Sequence, residues 1–215
     1  MNAFDIYNIW KEKVTDPSLR SELESIDGNE NEIVARFTAP MSFGTAGLRS
    51  IMGAGISRMN IYTVAQATQG LAELIRQENA ADKGVVIAHD SRNNSRLFAE
   101  ISARVLAANG ITVYLFDSLR PTPELSFAIL ELGCISGINI TASHNPKEYN
   151  GYKVYWSDGA QLPPEHAAVV CEKIAGCDMF SVPMADLSDK HIHVIGSEID
   201  EKYIDAVLGC VIDRD

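Results

Sequence analysis

The stretch Ile140-Thr141-Ala142-Ser143-His144-Asn145-Pro146 changes abruptly from apolar to polar. A buried strand that ends in a small-residue turn presents its next side chains on a surface loop. The reactive one here is a hydroxyl, so Ser143 is the candidate nucleophile. A serine hydroxyl attacks only when a neighbour takes its proton and positive charge stabilises the group it attacks. His144, next in the chain, has an ordinary pKa that allows proton transfer near neutrality. Lys153 becomes a base if burial or a nearby arginine lowers its pKa. Arg49 and Arg92 are candidate anion clamps, since a guanidinium grips oxyanions bidentately, and Gly44, Ala46 and Gly47 let backbone come close to Arg49. Each residue alone has a bland alternative. Ser, Asn and Pro are ordinary turn formers, Asp90-Ser91-Arg92-Asn93 suits a plain helix entry, and Arg49 could lie idle on the surface.

What must position these side chains is a repeating pattern of elements. Gly84 to His89 is a continuous apolar run, as in a strand buried on both faces. Ile111 to Phe116 and Ile135 to Thr141 read the same way. Between them, Ser95 is expected to cap a helix ended by Asn109-Gly110, and Arg120-Pro121-Thr122-Pro123 opens another that stops at Gly133. Such alternation implies right-handed crossovers and a mostly parallel sheet with helices on both faces. Ligands then sit beyond the carboxyl ends of the strands, and Asp90 and Ser143 both follow such ends.

The flanking segments complete the pattern. Thr45 to Met52 reads as a glycine-punctuated strand and Gly151 to Trp156 as an edge strand. Asn60 is the expected cap of a long helix, and Pro163-Pro164-Glu165 starts one reaching about Ile174. Phe4 to Phe37 spaces its apolar residues by three and four, predicting two or three short amphipathic helices on the outside, one opened by Asp16-Pro17. The expectation is an α/β chain: a helical extension over residues 1–37, then a three-layer α/β/α domain with a mostly parallel mixed sheet over 38–190. Residues 191–215 are expected to be a connector and the start of a second domain, with strand His191 to Ile195 and helix Glu198 to Val211.

With 215 residues, 46% apolar and 22% charged, the chain can bury a sizeable core. Its net charge of −11 argues against a nucleic-acid partner, so an anionic ligand would need a local basic pocket. No basic leader precedes an apolar run and no uncharged stretch is long enough for a bilayer, so a cytoplasmic location without membrane partners is expected. Cys134, Cys171, Cys177 and Cys210 are widely spaced and read as buried thiols, not disulfides or zinc ligands. Asp27 to Glu32 lacks the glycine of a calcium loop, and Gly53-Ala54-Gly55 has Arg58 where a dinucleotide fingerprint needs glycine. His191-x-His193 lacks a third ligand. Ser143 lacks the Gly-x-Ser-x-Gly elbow of a serine hydrolase.

Thr141-Ala142-Ser143-His144-Asn145-Pro146 followed by Asn150-Gly151-Tyr152-Lys153 resembles the active-site loop of the α-D-phosphohexomutases, the phosphoglucomutase and phosphomannomutase family. Phe43-Gly44-Thr45-Ala46-Gly47-Leu48-Arg49 and His89-Asp90-Ser91-Arg92 with Ser95 agree in the same order, and the resemblance runs from about Glu30 to the end. It implies that Ser143 carries a phosphoryl group that is given to a sugar phosphate and later taken back. It further implies that Arg49 lies beside the phosphoserine and that His144 and Lys153 share acid-base or phosphate-orienting roles. Mg²⁺ would be held partly through the phosphate on Ser143, with glucose-1,6-bisphosphate or a similar compound as activator. The family's Asp-Gly-Asp-x-Asp-Arg, Gly-Glu-x-Ser and Arg-x-Ser-Gly-Thr-Glu-Pro stretches are absent. A fragment is therefore expected, depending on the remaining domains of the same polypeptide and inactive as a mutase alone. Gly53 to Asn60 and the Phe-Gly-Thr-Ala-Gly-Leu-Arg form look closest to the phosphoglucomutase and phosphopentomutase branch, with the choice of glucose, mannose or pentose open. A non-catalytic sugar-phosphate binding or regulatory protein is the alternative; the joint presence of Ser143, His144, Arg49 and Lys153 argues against it.

Overall fold

The computed structural model describes residues 1–44 and 47–212; Thr45 and Ala46, at the start of the first expected strand, lie outside them. The charged N-terminal stretch forms three short helices, α1 (Ala3–Lys13), α2 (Pro17–Ser25) and α3 (Glu30–Phe37). Their starts are set by side-chain caps. Asn2 and Asp5 form a reciprocal capping box on α1, Asp16 accepts from the Leu19 N–H ahead of α2, and Asn29 accepts from the Glu32 N–H ahead of α3. Tyr7, Trp10, Leu23, Ile33 and Phe37 close a small core of their own. Trp10 meets Phe37 edge-on at 5.7 Å and reaches Tyr62 and Phe180 of the main body. Each such side chain taken fully out of water contributes about 1.5–3 kcal/mol, enough to hold the extension against the outside of the domain, as expected.

The main body is one mixed sheet between two helical layers. Its strands are β1 (Gly47–Ile51), β2 (Val85–His89), β3 (Val113–Phe116), β4 (Ser136–Ile140), β5 (Tyr149–Trp156) and β6 (Ile192–Ile195). Their order is β1-β5-β4-β2-β3-β6. The pairs β2–β3, β2–β4 and β3–β6 are parallel, while β5 runs antiparallel to both β1 and β4. Helices α4 (Ile61–Gln77), α5 (Ser95–Ala108) and α7 (Pro164–Gly176) cover one face. There Leu71, Phe98 and Val170 share a core with Ile87, Ile138, Tyr152 and Val154. On the other face lie α6 (Thr122–Glu131) and α8 (Ser197–Gly209), with Leu125, Ile129 and Ile199 against Val86, Ala88, Phe116 and Ile195. The expected three-layer α/β/α arrangement is observed.

Four expectations are corrected in detail. Residues 151–156 do not form an edge strand, because β1 pairs along the outside of β5. Ser95 does not cap α5. Asn94, at φ 62°, stands at the cap position, and the Ser95 hydroxyl donates to Asp90 Oδ1 at 2.7 Å. The strand expected to begin a second domain is hydrogen-bonded into this sheet as β6, because Ile192 and Ile195 pack on opposite faces of it. Of the four cysteines, all free thiols, Cys134 is buried but Cys210 is exposed near the end of α8. No helix among the described residues is long and apolar enough to cross a membrane.

Candidate active site

Strand β4 runs fully buried to Ile140, and Thr141 and Ala142 stay buried beyond it, so the chain first reaches solvent at Ser143. Ser143 sits at φ 55°, in the left-handed region that a non-glycine residue adopts only when its surroundings hold it there. Its N–H donates to Thr141 Oγ1 at 3.0 Å, and the Asn145 N–H closes the turn onto the Ala142 carbonyl at 3.1 Å. The exposed hydroxyl stands 3.4 Å from His144 Nδ1. It borders a cavity of about 490 Å³ that is also lined by Asp90, Arg92, Asn93, Asn145 and Lys147.

Arg49 and Lys153 arrive on two neighbouring strands. Gly47 faces Lys153 and Arg49 faces Gly151 across the β1–β5 ladder, so the two cations are diagonal neighbours on one side of the sheet. Arg49 Nη1 donates to Asn145 Oδ1 at 3.0 Å, tying β1 to the serine loop. Burial pulls the Lys153 amine below the usual lysine range, the Arg49 charge pulls it further, and Asp90 opposes them. Both conditions under which Lys153 could act as a base are thus met in direction. Arg49→Met should raise the Lys153 pKa while leaving it below that of a free lysine, because burial is the larger cause. NMR titration of methylated lysines checks this, and an unmoved Lys153 signal would separate the two residues.

Arg92, expected to grip an anion, borders the same cavity and turns its terminal nitrogens toward the serine loop. Nη2 donates to the carbonyls of Ser143 and Asn145, both at 2.7 Å, and Nη1 to those of Pro146 and Tyr149 at 2.9 and 3.2 Å. Nε lies 3.4 Å from Asp90 Oδ2. The four N–H groups of the two terminal nitrogens are therefore engaged inside the protein. Asp90 Oδ1 also accepts from the Arg92 N–H at 2.9 Å and from Ser95, whose oxygen accepts from Asn150 Nδ2 at 3.0 Å. Asn145 and Asn150 tie the loop to its neighbours through their side-chain amides, and Tyr152 is fully buried in the core. Lys147 escaped the sequence reading; as a second cation in the loop that follows the serine, it was visible there.

The residues present do not make a magnesium site by themselves. Among the described residues there is no grouping of three or more His, Cys, Asp or Glu side chains placed to hold a metal ion. Asp90, the carboxylate nearest Ser143 in the cavity wall, is committed to Arg92 and Ser95.

Comparison with known proteins agrees with this geometry. Residues 40–179 match the family described as phosphoglucomutase/phosphomannomutase, alpha/beta/alpha domain I. The chain is 45% identical over 156 residues to a human phosphopentomutase, covering 69% of this chain and 26% of that protein. It is 38% identical over 200 residues to a Staphylococcus saprophyticus phosphoglucomutase, covering 91% of this chain and 36% of that one. Among solved structures, a Thermus thermophilus protein named as a candidate phosphomannomutase superposes with a TM-score of 0.65 at 27% identity, over 80% of this chain and 36% of its own. The chain thus spans about a quarter to a third of the length of these relatives. Because that match spans the serine loop and the strands that carry Arg49 and Lys153, over well more than half of the sequence, the chain belongs to the phosphoglucomutase/phosphomannomutase family.

Proposed function

We propose that this chain is the phosphoryl-carrying part of a phosphosugar mutase, with Ser143 as the carrier. The observation that supports this most is the exposed Ser143 hydroxyl at a left-handed turn, beside His144 and a cavity, with Arg49 joined to its loop and Lys153 beside Arg49. In the forward step, Ser143 Oγ attacks the phosphorus of a sugar bisphosphate. The P–O bond to the sugar breaks as the Oγ–P bond forms, the serine proton passes to His144 or Lys153, and the departing sugar oxygen regains a proton. The reverse step gives the phosphoryl group from Ser143 to the free hydroxyl of a sugar monophosphate that carries its phosphate at the other position, which regenerates the bisphosphate and the free serine. Such transfers depend on positioning and on cations around the phosphoryl oxygens more than on covalent chemistry. Arg49 supplies one cation and lowers the neighbouring lysine's pKa.

When bound, Mg²⁺ would neutralise phosphoryl oxygens; its carboxylate ligands would come from outside this chain, with the Ser143 phosphate as one donor. Glucose-1,6-bisphosphate or a similar compound would load the serine. The reading includes a cytoplasmic protein acting on a hexose or pentose phosphate, whose further domains complete the site, and little mutase turnover by this chain alone.

Intact mass and peptide mapping before and after incubation with glucose-1,6-bisphosphate and Mg²⁺ test it. One phosphoryl group on Ser143 is expected in the wild type and none in Ser143→Ala. Undiminished uptake by Ser143→Ala, or a group mapped elsewhere, would sink the carrier role.

A further inference from the structure

We infer that Arg92 is a positioning residue: its guanidinium is the strut around which the Ser143 loop is wound, and it aims the hydroxyl instead of binding phosphate. The inference rests on the proposed carrier role of Ser143 only for what the aiming accomplishes. The loop itself shows the strut.

Four main-chain carbonyls, from Ser143, Asn145, Pro146 and Tyr149, converge on the two terminal nitrogens of Arg92. Oxygens brought this close repel one another unless a cation with donors in several directions sits among them, and a planar fork of five N–H groups is such a cation. The side chain is only 15% exposed, and bonds from an ionised donor are stronger than neutral ones. The fork is itself fixed from behind. Asp90, directly after β2, accepts from the Arg92 backbone N–H, forms an ion pair with Nε at 3.4 Å, and also accepts from the Ser95 hydroxyl at the first residue of α5. Asn150, at the loop's far end, donates to Ser95 and to the Asn93 carbonyl, both at 3.0 Å. The loop is thus clamped at its start, middle and end to the junction of β2 and α5.

The consequence falls on Ser143. A non-glycine residue in the left-handed region is strained by about 1–2 kcal/mol, so the turn relaxes unless something holds it. Its N–H is held by Thr141 Oγ1 and its carbonyl by Arg92 Nη2. With the backbone pinned on both sides, the Cα–Cβ bond of Ser143 is fixed at the cavity's edge, and the hydroxyl can move only by rotation about that bond.

Arg92→Lys keeps the charge but has one nitrogen with three donors in place of the fork, and it cannot span four carbonyls. Hydrogen exchange on the intact protein should show the Asn145 and Tyr149 amides, bonded to the Ala142 and Pro146 carbonyls, exchanging at least about tenfold faster in Arg92→Lys. The β2 and β4 amides should be unchanged, which shows that the fold persists. The rate of phosphoryl uptake at Ser143 should fall at least about tenfold while the donor concentration for half-saturation stays put. Unchanged loop exchange overturns the inference. So does a raised half-saturation with an unchanged maximal rate, the mark of a phosphate ligand. If the wild type takes up no phosphoryl group, the carrier proposal fails, and the exchange measurement alone still decides whether Arg92 is the strut.

Discussion

Glu124→Gln is expected to make the protein more stable than wild type at pH 8, by on the order of 2 kcal/mol, and to leave it about equal at pH 5. Glu124 lies on the first turn of α6 and is only 5% exposed. Its Oε1 has no hydrogen-bond partner, and Arg120 Nε is 3.7 Å away. Arg120 is already spent on Asp200 of α8, with Nε at 2.6 Å and Nη2 at 2.8 Å, and Asp117 adds a third carboxylate at 3.2 Å. One guanidinium cannot balance three carboxylates, so Glu124 holds its proton to higher pH than a free glutamate does. Burial, and then Asp200, push its pKa up to about 7 from 4.5, while the bond from Arg120 holds Asp200 below the usual carboxylate range. The folded form therefore binds one more proton than the unfolded chain between about pH 4.5 and 7, and the stability this supplies is lost as pH rises through 7. Asp200 works in the opposite sense, contributing above its unfolded pKa and failing only in stronger acid. Glutamine keeps a donor for Asp200 and has nothing to lose. Denaturant titrations of both proteins at pH 5 and pH 8 measure the difference; a constant offset would mean that Glu124 is ionised throughout.

Gly47→Ala is expected to cost about 3 kcal/mol or more and to remove Arg49 from the serine loop. A Cβ at Gly47 would lie 1.8 Å from the Tyr152 carbonyl oxygen, which is backbone of the neighbouring strand and cannot rotate away. The φ of 115° also lies where L-residues are strained. Both penalties are relieved only if β1 withdraws from β5, and Arg49 withdraws with it. Gly110→Ala is the control, because it too has positive φ, at 72°, but nothing within 4 Å of the new methyl. Thermal unfolding should show a small loss for Gly110→Ala and a loss several times larger for Gly47→Ala. Equal losses would mean that the conformational penalty alone matters.

Much of this architecture could be read from the chain because its signals are local. Asp16-Pro17 and Asn60 set helix starts by capping, and the apolar run Val85 to His89 can only be a strand covered on both faces. Ser143 was legible from the switch between a buried strand and a polar turn. What escaped were facts about partners distant in sequence. Nothing in residues 149–156 announces that β1 will pair along them, and nothing in Asp90-Ser91-Arg92 tells that the guanidinium will meet carbonyls more than fifty positions away. Serine caps helices well, so Ser95 reads as a cap, but its hydroxyl goes instead to Asp90 Oδ1, the oxygen that also accepts from the Arg92 backbone N–H.

The place of β1 in the sheet also sets an order of events. Arg49 faces Gly151, so the pairing that delivers the guanidinium closes a loop of about a hundred residues, and the strand receiving it must first dock on β4. Long-range closures are slow and come late, after the local helices and the parallel β2–β4 pair have formed. On a ribosome, the nucleophile's loop would emerge and fold before its arginine could be recruited backwards from a segment made long before. Arg49 is thus made early and recruited late: it can join the serine loop only once the whole of β5 has been synthesised and paired, so a nascent chain stalled before Tyr152 would carry an unarmed serine.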